Sequence, residues 1–223
     1  MRGGARRAWP SQLRQDATED CVVASFTILT VCSGNICRSP LAEQLLRVGL
    51  VRWPEVALGS AGTIGLTGQA MPYEAADLSR HFGGDPSLHV ARVLTAEHLS
   101  EADLVFAMSR EHRRAIVELY PRAIRYTFTI REFARLVNGV TDEDLEEAAA
   151  LPLHDVVGRF STLVGFAASQ RGAVNPPESP DDDDVVDPYR RSDEVYAESA
   201  RQLVPAVNEV VSLFHRSTRV HQP

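Results

Sequence analysis

The sequence predicts an α/β fold: a parallel sheet flanked by helices on both faces. Three observations predict it. Short apolar runs, several rich in β-branched residues, recur at 26–31, 56–60 and 103–108, and such runs read as buried strands. Helical patterns stand between them, which is the alternation of a parallel sheet with crossover helices. The first strand also passes through a tight turn directly into a helix start.

In order along the chain, residues 26–31 form the first strand. Residues 32–38 follow, with a turn-forming Gly34-Asn35 pair, and Ser39-Pro40 opens a helix to about residue 51, since proline suits the first helical turn. Residues 56–60 are a second strand ending at Ala61-Gly62, and Gly65 and Gly68 mark a loop. A helix over 73–82 stops at Gly83-Gly84. The strand at 103–108 leads to Ser109, which caps a helix over 110–120, and 126–130 give a fourth strand. From 131 to 170 the pattern is helical, in pieces near 131–138, 142–150 and 153–169. Residues 171–184 are rich in proline and aspartate and are expected to be a mobile loop. The last element, 192–214, is amphipathic, with Val195, Leu203, Val207, Val210, Val211 and Phe214 as its stripe. Pro205 is expected to kink or divide it.

A length of 223 residues suits one domain with appendages: a disordered leader at 1–25, a domain over 26–218 and a tail at 219–223. Hydrophobic residues make up 44% of the chain, enough for a packed core. The net charge of -7 argues against a general nucleic-acid binder. The 3 cysteines, Cys21, Cys32 and Cys37, are too few and odd for a secreted disulfide framework, and permit a reactive thiol. No apolar run is long enough to span a membrane, and Arg2, Arg6 and Arg7 have no apolar stretch behind them, as a secretory signal would. A cytoplasmic location with neither nucleic acid nor membrane as partner is the expectation. The 7 histidines show no metal-ligand spacing, and no Gly-x4-Gly-Lys loop occurs, so neither metal nor other cofactor is expected.

The chemistry is concentrated in Val31-Cys32-Ser33-Gly34-Asn35-Ile36-Cys37-Arg38-Ser39-Pro40. A short loop between a strand and a helix N-terminus turns successive N–H groups inward and makes an anion nest, aided by the helix dipole. Gly34 and Asn35 tolerate the left-handed backbone a tight loop needs. Arg38 returns to the mouth, where its planar fork takes two phosphate oxygens. Cys32 sits at the base, and the same field favours a thiolate aimed at the bound phosphorus. A bare Cys-x5-Arg spacing is weak; the preceding strand, the Gly-Asn turn and the Ser-Pro helix start make it specific. Asp187-Pro188, after an acidic run, suggests a general acid, with Asp181 to Asp184 as rivals.

The stretch from Cys32 to Glu43 resembles the active-site loop of the low-molecular-weight protein tyrosine phosphatase family, bacterial type. The resemblance continues through Ser60-Ala61-Gly62-Thr63, His89-Val90-Ala91-Arg92, the segment 102–108 and Asp187-Pro188-Tyr189, and covers about residues 26–130 and 185–215. It implies a four-stranded parallel sheet with the site at the strands' carboxyl ends. It implies Cys32 as nucleophile, Arg38 as clamp and Asp187 as acid and then base, the Pro-Tyr that follows singling out Asp187 from its rivals. Ser33, Gly34, Asn35, Ile36 and Cys37 would hold the phosphate, with Tyr189 at the mouth. Ser39 would donate to the thiolate, and Asn35, Ser60 and His89 would brace the loop. Cys37 matches a cysteine that in the family can form a reversible disulfide with the nucleophile, and it reads equally as a small residue filling the loop. The implied partner is a phosphotyrosine-containing protein, with a tyrosine kinase of polysaccharide export as one form, and the implied state a monomer or weak dimer.

Two features depart from the family pattern. Leu66 stands where many members carry an aromatic wall for the substrate ring, as in the subgroup linked to exopolysaccharide tyrosine kinases. The region 131–184 is long, forming a helical insertion before the acid loop, and reads either as a lid or docking hairpin near the site or as packed decoration. The Asp181 to Asp184 run within it reads as a solvated segment. Rival functions on the same fold are a small-thiol-dependent arsenate reductase and an inactive phosphate-binding module. The lack of any cysteine after Cys37 counts against thioredoxin-linked reductases.

Overall fold

The computed structural model describes residues 25–218. Cys21, nearly all of the expected leader and the whole tail lie outside the described residues. Strand β1 (Phe26–Cys32) alternates its side chains between two apolar cores: Phe26, Ile28 and Cys32 enter one, Leu29 and Val31 the other. A strand apolar on both faces needs cover on both, and a parallel sheet obtains it from crossover helices. β1 is flanked by β2 (Val56–Gly62) on one side and β3 (Leu104–Ala107) on the other, and β4 (Thr127–Thr129) lies beyond β3. All three pairings are parallel, in the order β2-β1-β3-β4.

Because β2 and β3 flank β1, the chain changes direction across the sheet there. Open α/β sheets bind ligands outside the carboxyl ends of strands at such a point. Helices α1 (Arg38–Gly49) and α2 (Tyr73–His81) belong to the larger core, and α3 (Ala96–Glu101) and α4 (Arg110–Leu119) cover the smaller one through Leu99 and Ile116. α5 (Ile130–Val137), α6 (Glu146–Ala150), α7 (Val156–Ser169) and α8 (Asp193–Ser217) complete the larger core with Phe133, Ala148, Phe160 and Phe214. No described helix is long and apolar enough to cross a membrane.

Of the helices in the insertion, α7 packs as core at the end of β1 remote from the site. Phe160 of α7 meets Phe26 edge-on at 5.5 Å and Trp53 at 5.4 Å, and stacks on Phe214 at 4.2 Å. Phe26 begins β1, so this cluster sits at the end of the strand away from Cys32. Arg159, 2% exposed, donates to the carbonyls of Ala149, Leu151, Pro152 and Ser217. It thereby ties the ends of α6 and α8 together, where helix dipoles favour a cation.

The structure corrects three expectations here. Residues 171–184 are pinned rather than mobile. Arg171 pairs with Glu132 at 2.9 Å and lies over the Phe128 ring at 4.0 Å. Nor is the aspartate run simply solvated: Asp183 pairs with Arg135 at 2.9 Å, and Asp184 accepts from the Arg110 N–H at 2.7 Å while Arg131 donates to its carbonyl. Composition reports polarity but not the arginines of α5 that meet it. Pro205 does not divide α8, which runs unbroken for 25 residues. Both Pro205 and Arg201, whose carbonyl loses its helical donor, are exposed, so water can satisfy that oxygen.

Candidate active site

Residues Cys32 to Arg38 join β1 to α1 at the switch point. The loop's carbonyls are tied outward: Cys32 O accepts from Thr63 N, Ser33 O from Ile64 N and Gly65 N, and Gly34 O from Leu66 N, at 2.9–3.0 Å. Asn35 O lies 2.7 Å from His89 Nε2. In a trans peptide the C=O and the next N–H point oppositely. The N–H groups of Ser33, Gly34, Asn35 and Ile36 therefore face the inside of the turn. Asn35 alone in the loop takes the left-handed backbone, at φ 57°; Gly34 does not, which corrects the expectation for that residue. Gly34 instead allows close approach, since a Cβ there would meet Leu66 Cδ1 at 3.3 Å.

Asn35 is the hub of the support. Its amide nitrogen donates to Ser39 Oγ at 3.1 Å and to Ser60 Oγ at 2.8 Å, and its Oδ1 accepts from Arg92 N at 2.9 Å. Ser60 in turn donates to Glu43 at 2.7 Å. Ser39 Oγ lies 3.0 Å from Cys32 Sγ. With one lone pair engaged by Asn35, its hydrogen has two acceptors in reach, the sulfur and, at 3.4 Å, Ala61 O. Gly62 fits beneath because a Cβ would stand 2.5 Å from Ser33 O.

A cavity of about 170 Å³ is lined by Cys32, Ser33, Gly34, Ile36, Cys37, Arg38, Ile64, Leu66, Asp187 and Tyr189. Arg38 is 5% exposed; it donates to Val185 O at 3.0 Å and pairs with the half-exposed Asp187 at 2.6 Å. Its Nε is buried with no hydrogen-bond partner among the described residues. Such a donor is costly unless an acceptor enters the cavity. Ile36, Ile64, Leu66 and Tyr189 give the cavity an apolar side. Burial pushes the Cys37 thiol up to about 12, and its sulfur lies 3.8 Å from the Tyr196 hydroxyl.

The structure thus brings together the loop residues other than Asn35, with Leu66, Asp187 and Tyr189, around one cavity, and sets Asn35, Ser39, Ser60 and His89 behind it. Asp181 to Asp184 do not line that cavity. Sequence reasoning missed three contributors. Ile64, 72% exposed, stands at the mouth. The arginines of α5 hold the segment leading to Asp187. His112 lies 2.8 Å from Ser33 Oγ and 2.7 Å from Ser109 Oγ. Ser109 was legible as a cap, and a histidine three residues on was the available signal.

A parallel sheet whose first strand delivers a cysteine into a nest of inward N–H groups, with a buried arginine closing it, is the setting of cysteine-based phosphate chemistry. The family model for low molecular weight phosphotyrosine protein phosphatases matches residues 27–148, and the chain belongs to that family. It is 40% identical over 103 residues to the low molecular weight protein-tyrosine-phosphatase Ptp of Acinetobacter johnsonii, a stretch covering 46% of this chain and 70% of that protein. Against Etp of Escherichia coli K12 the identity is 42% over 95 residues, covering 43% of this chain and 62% of Etp. It is also 35% identical over 128 residues to the protein-arginine-phosphatase of Geobacillus stearothermophilus, covering 57% and 82%. The solved YwlE arginine phosphatase of that organism superposes with a TM-score of 0.61 at 24% identity, over 89% of this chain and 98% of the other.

Proposed function

We propose that the chain is a metal-independent phosphomonoester hydrolase acting on phosphotyrosine through a phosphocysteine intermediate. The observation that carries this reading is Arg38: buried, with a partnerless Nε, on the same cavity as Cys32 and Asp187. A phosphate oxygen supplies the missing acceptor, and the inward N–H groups take the others.

The Cys32 thiolate attacks phosphorus; the S–P bond forms as the P–O bond to the phenol breaks. Asp187 gives its proton to the departing oxygen. Phosphate competes with Asp187 for Arg38, which frees the carboxyl for that task. In the second step Asp187 takes a proton from water, the water oxygen bonds to phosphorus, and the S–P bond breaks. Ser39 stabilises the returning thiolate from 3.0 Å.

The apolar side of the cavity supports an aryl ester. Ile36, Ile64 and Leu66 offer a guanidinium neither acceptor nor charge, whereas a phenyl ring suits them. A phosphotyrosine-containing protein is the proposed partner, and a bacterial tyrosine kinase fits that description. Phosphoarginine is the second reading, supported by the likeness to the Geobacillus stearothermophilus arginine phosphatase over 82% of its length.

The test is hydrolysis of para-nitrophenyl phosphate, a phosphotyrosine peptide and a phosphoarginine peptide, with EDTA present, by wild type, Cys32→Ser and Asp187→Ala. Turnover of the two aryl esters that vanishes in Cys32→Ser and falls in Asp187→Ala is expected. Preference for phosphoarginine would replace the substrate assignment. Inactivity of folded wild type would overturn the reading and make arsenate reduction with small thiols the next assay.

A further inference from the structure

His112 is a buried imidazole that belongs to neither the catalytic loop nor the network around Asn35. It is 4% exposed, on the first turn of α4, and both ring nitrogens are engaged. Nδ1 lies 2.7 Å from Ser109 Oγ, and Nε2 lies 2.8 Å from Ser33 Oγ. The ring therefore bridges the cap of α4, rooted at the end of β3, to the residue immediately after Cys32. Burial pushes the imidazole down to about 4, with the Arg38 charge adding to the effect, so the bridge is neutral near pH 7. A neutral imidazole donates at one nitrogen and accepts at the other, which suits a chain between two hydroxyls.

The Asn35 network secures the loop's far side: Asn35, Ser60 and His89 all lie toward β2 and the 89–92 segment. On the β3 side two side chains tether the loop: Arg38 at its end reaches Val185 O, and Ser33 at its start, next to the reacting sulfur, is held by His112. A turn held from one side only can rotate its peptide planes, and N–H groups aimed at developing charge lose their value when they swing.

We propose that His112 is a positioning residue for the reaction, acting through Ser33 to fix the catalytic loop against β3 and α4. This rests on the phosphatase reading. His112 touches no reacting atom; its effect is the geometry of the N–H groups that meet the phosphoryl oxygens.

The experiment compares wild type, His112→Gln, His112→Asn, Ser33→Ala and the His112→Asn/Ser33→Ala double variant. The readouts are kcat and KM for para-nitrophenyl phosphate and inhibition by inorganic phosphate, with circular dichroism confirming the folded state. A glutamine amide reaches the place of Nε2 and restores the bond to Ser33; an asparagine amide reaches only that of Nδ1. Loss of one buried hydrogen bond predicts a fall in kcat of about tenfold for His112→Asn and for Ser33→Ala, with His112→Gln close to wild type. Inorganic phosphate should inhibit the two impaired variants more weakly. The double variant should be no worse than either single one, since both remove the same link. Losses that multiply, or equal losses in His112→Gln and His112→Asn, would overturn the role of His112. An inactive wild type would instead overturn the phosphatase reading beneath it.

Discussion

The hydroxyl oxygen of Ser39 lies 3.0 Å from the sulfur of Cys32 and 3.1 Å from the amide nitrogen of Asn35. The amide occupies the hydroxyl oxygen as an acceptor, and of the two acceptors in reach of its hydrogen, the sulfur and Ala61 O at 3.4 Å, the sulfur is the nearer. A hydrogen bond to a charged group is worth about 1.5–3 kcal/mol, so Ser39→Ala should slow turnover by about ten- to a hundredfold. Rapid-quench measurement should place the loss in both steps, because the same thiolate attacks first and departs second. An unchanged rate in Ser39→Ala would show the hydroxyl to be a helix-end contact only.

Acid should destabilise the fold through His112. Burial and the neighbouring Arg38 hold the imidazole at about 4, with Asp187 opposing them. An unfolded histidine titrates near 6.5. Between those values the unfolded chain binds a proton that the folded chain refuses. The histidine's contribution is thus fully present above about pH 6.5 and is lost as pH falls toward 4, up to about 3 kcal/mol. Asp184, whose carboxyl burial pushes up, works in the opposite direction. Thermal midpoints from pH 7 to 4 should fall more steeply in wild type than in His112→Gln, which isolates the imidazole.

Cys37 should resist alkylation at neutral pH. Its thiol is pushed up to about 12, so it remains protonated, and the thiolate is the reactive form. Brief iodoacetamide treatment followed by peptide mass spectrometry should find the label on Cys32, with inorganic phosphate protecting it. Equal labelling of Cys32 and Cys37 would contradict this burial argument.

Arg159 should be a stability residue without a part in the chemistry. Its guanidinium serves four carbonyls where α6, α7 and α8 converge. Arg159→Met fills part of the space but strands those acceptors, and buried unsatisfied groups cost about 1–3 kcal/mol each where water cannot reach them. Urea denaturation should show a loss of roughly 3 kcal/mol or more. The folded fraction should keep the wild-type KM.

Most of the sheet was legible in the sequence because short apolar runs alternate with helical patterns, which is what a parallel sheet covered by helices on both faces requires. The catalytic loop was legible because its residues are consecutive. His112 was hidden because its partner Ser33 is 79 positions away; the cap three residues before it was legible, but the bridge to the loop was not. The pinned state of 171–184 was hidden for the same reason. Arg131 and Arg135 look like an exposed helix face until the aspartates return to meet them. Pro205 does not divide α8 because both it and Arg201, whose carbonyl it abandons, are exposed to water.

Strand β1 has its hydrophobic anchor, Phe26, at one end and its reactive sulfur, Cys32, at the other, 7 residues in all. The aromatic stack of Phe160, Phe214 and Trp53 is gathered around the first end. Chain segments hung from that pole can therefore change without disturbing the mouth. The exposed turn at Leu153 and His154 sits between α6 and α7, which makes it a practical point for a fluorophore, an affinity tag or a surface linkage. An enzyme tethered there would present its cavity to the solution, with the rigid end of the molecule toward the support.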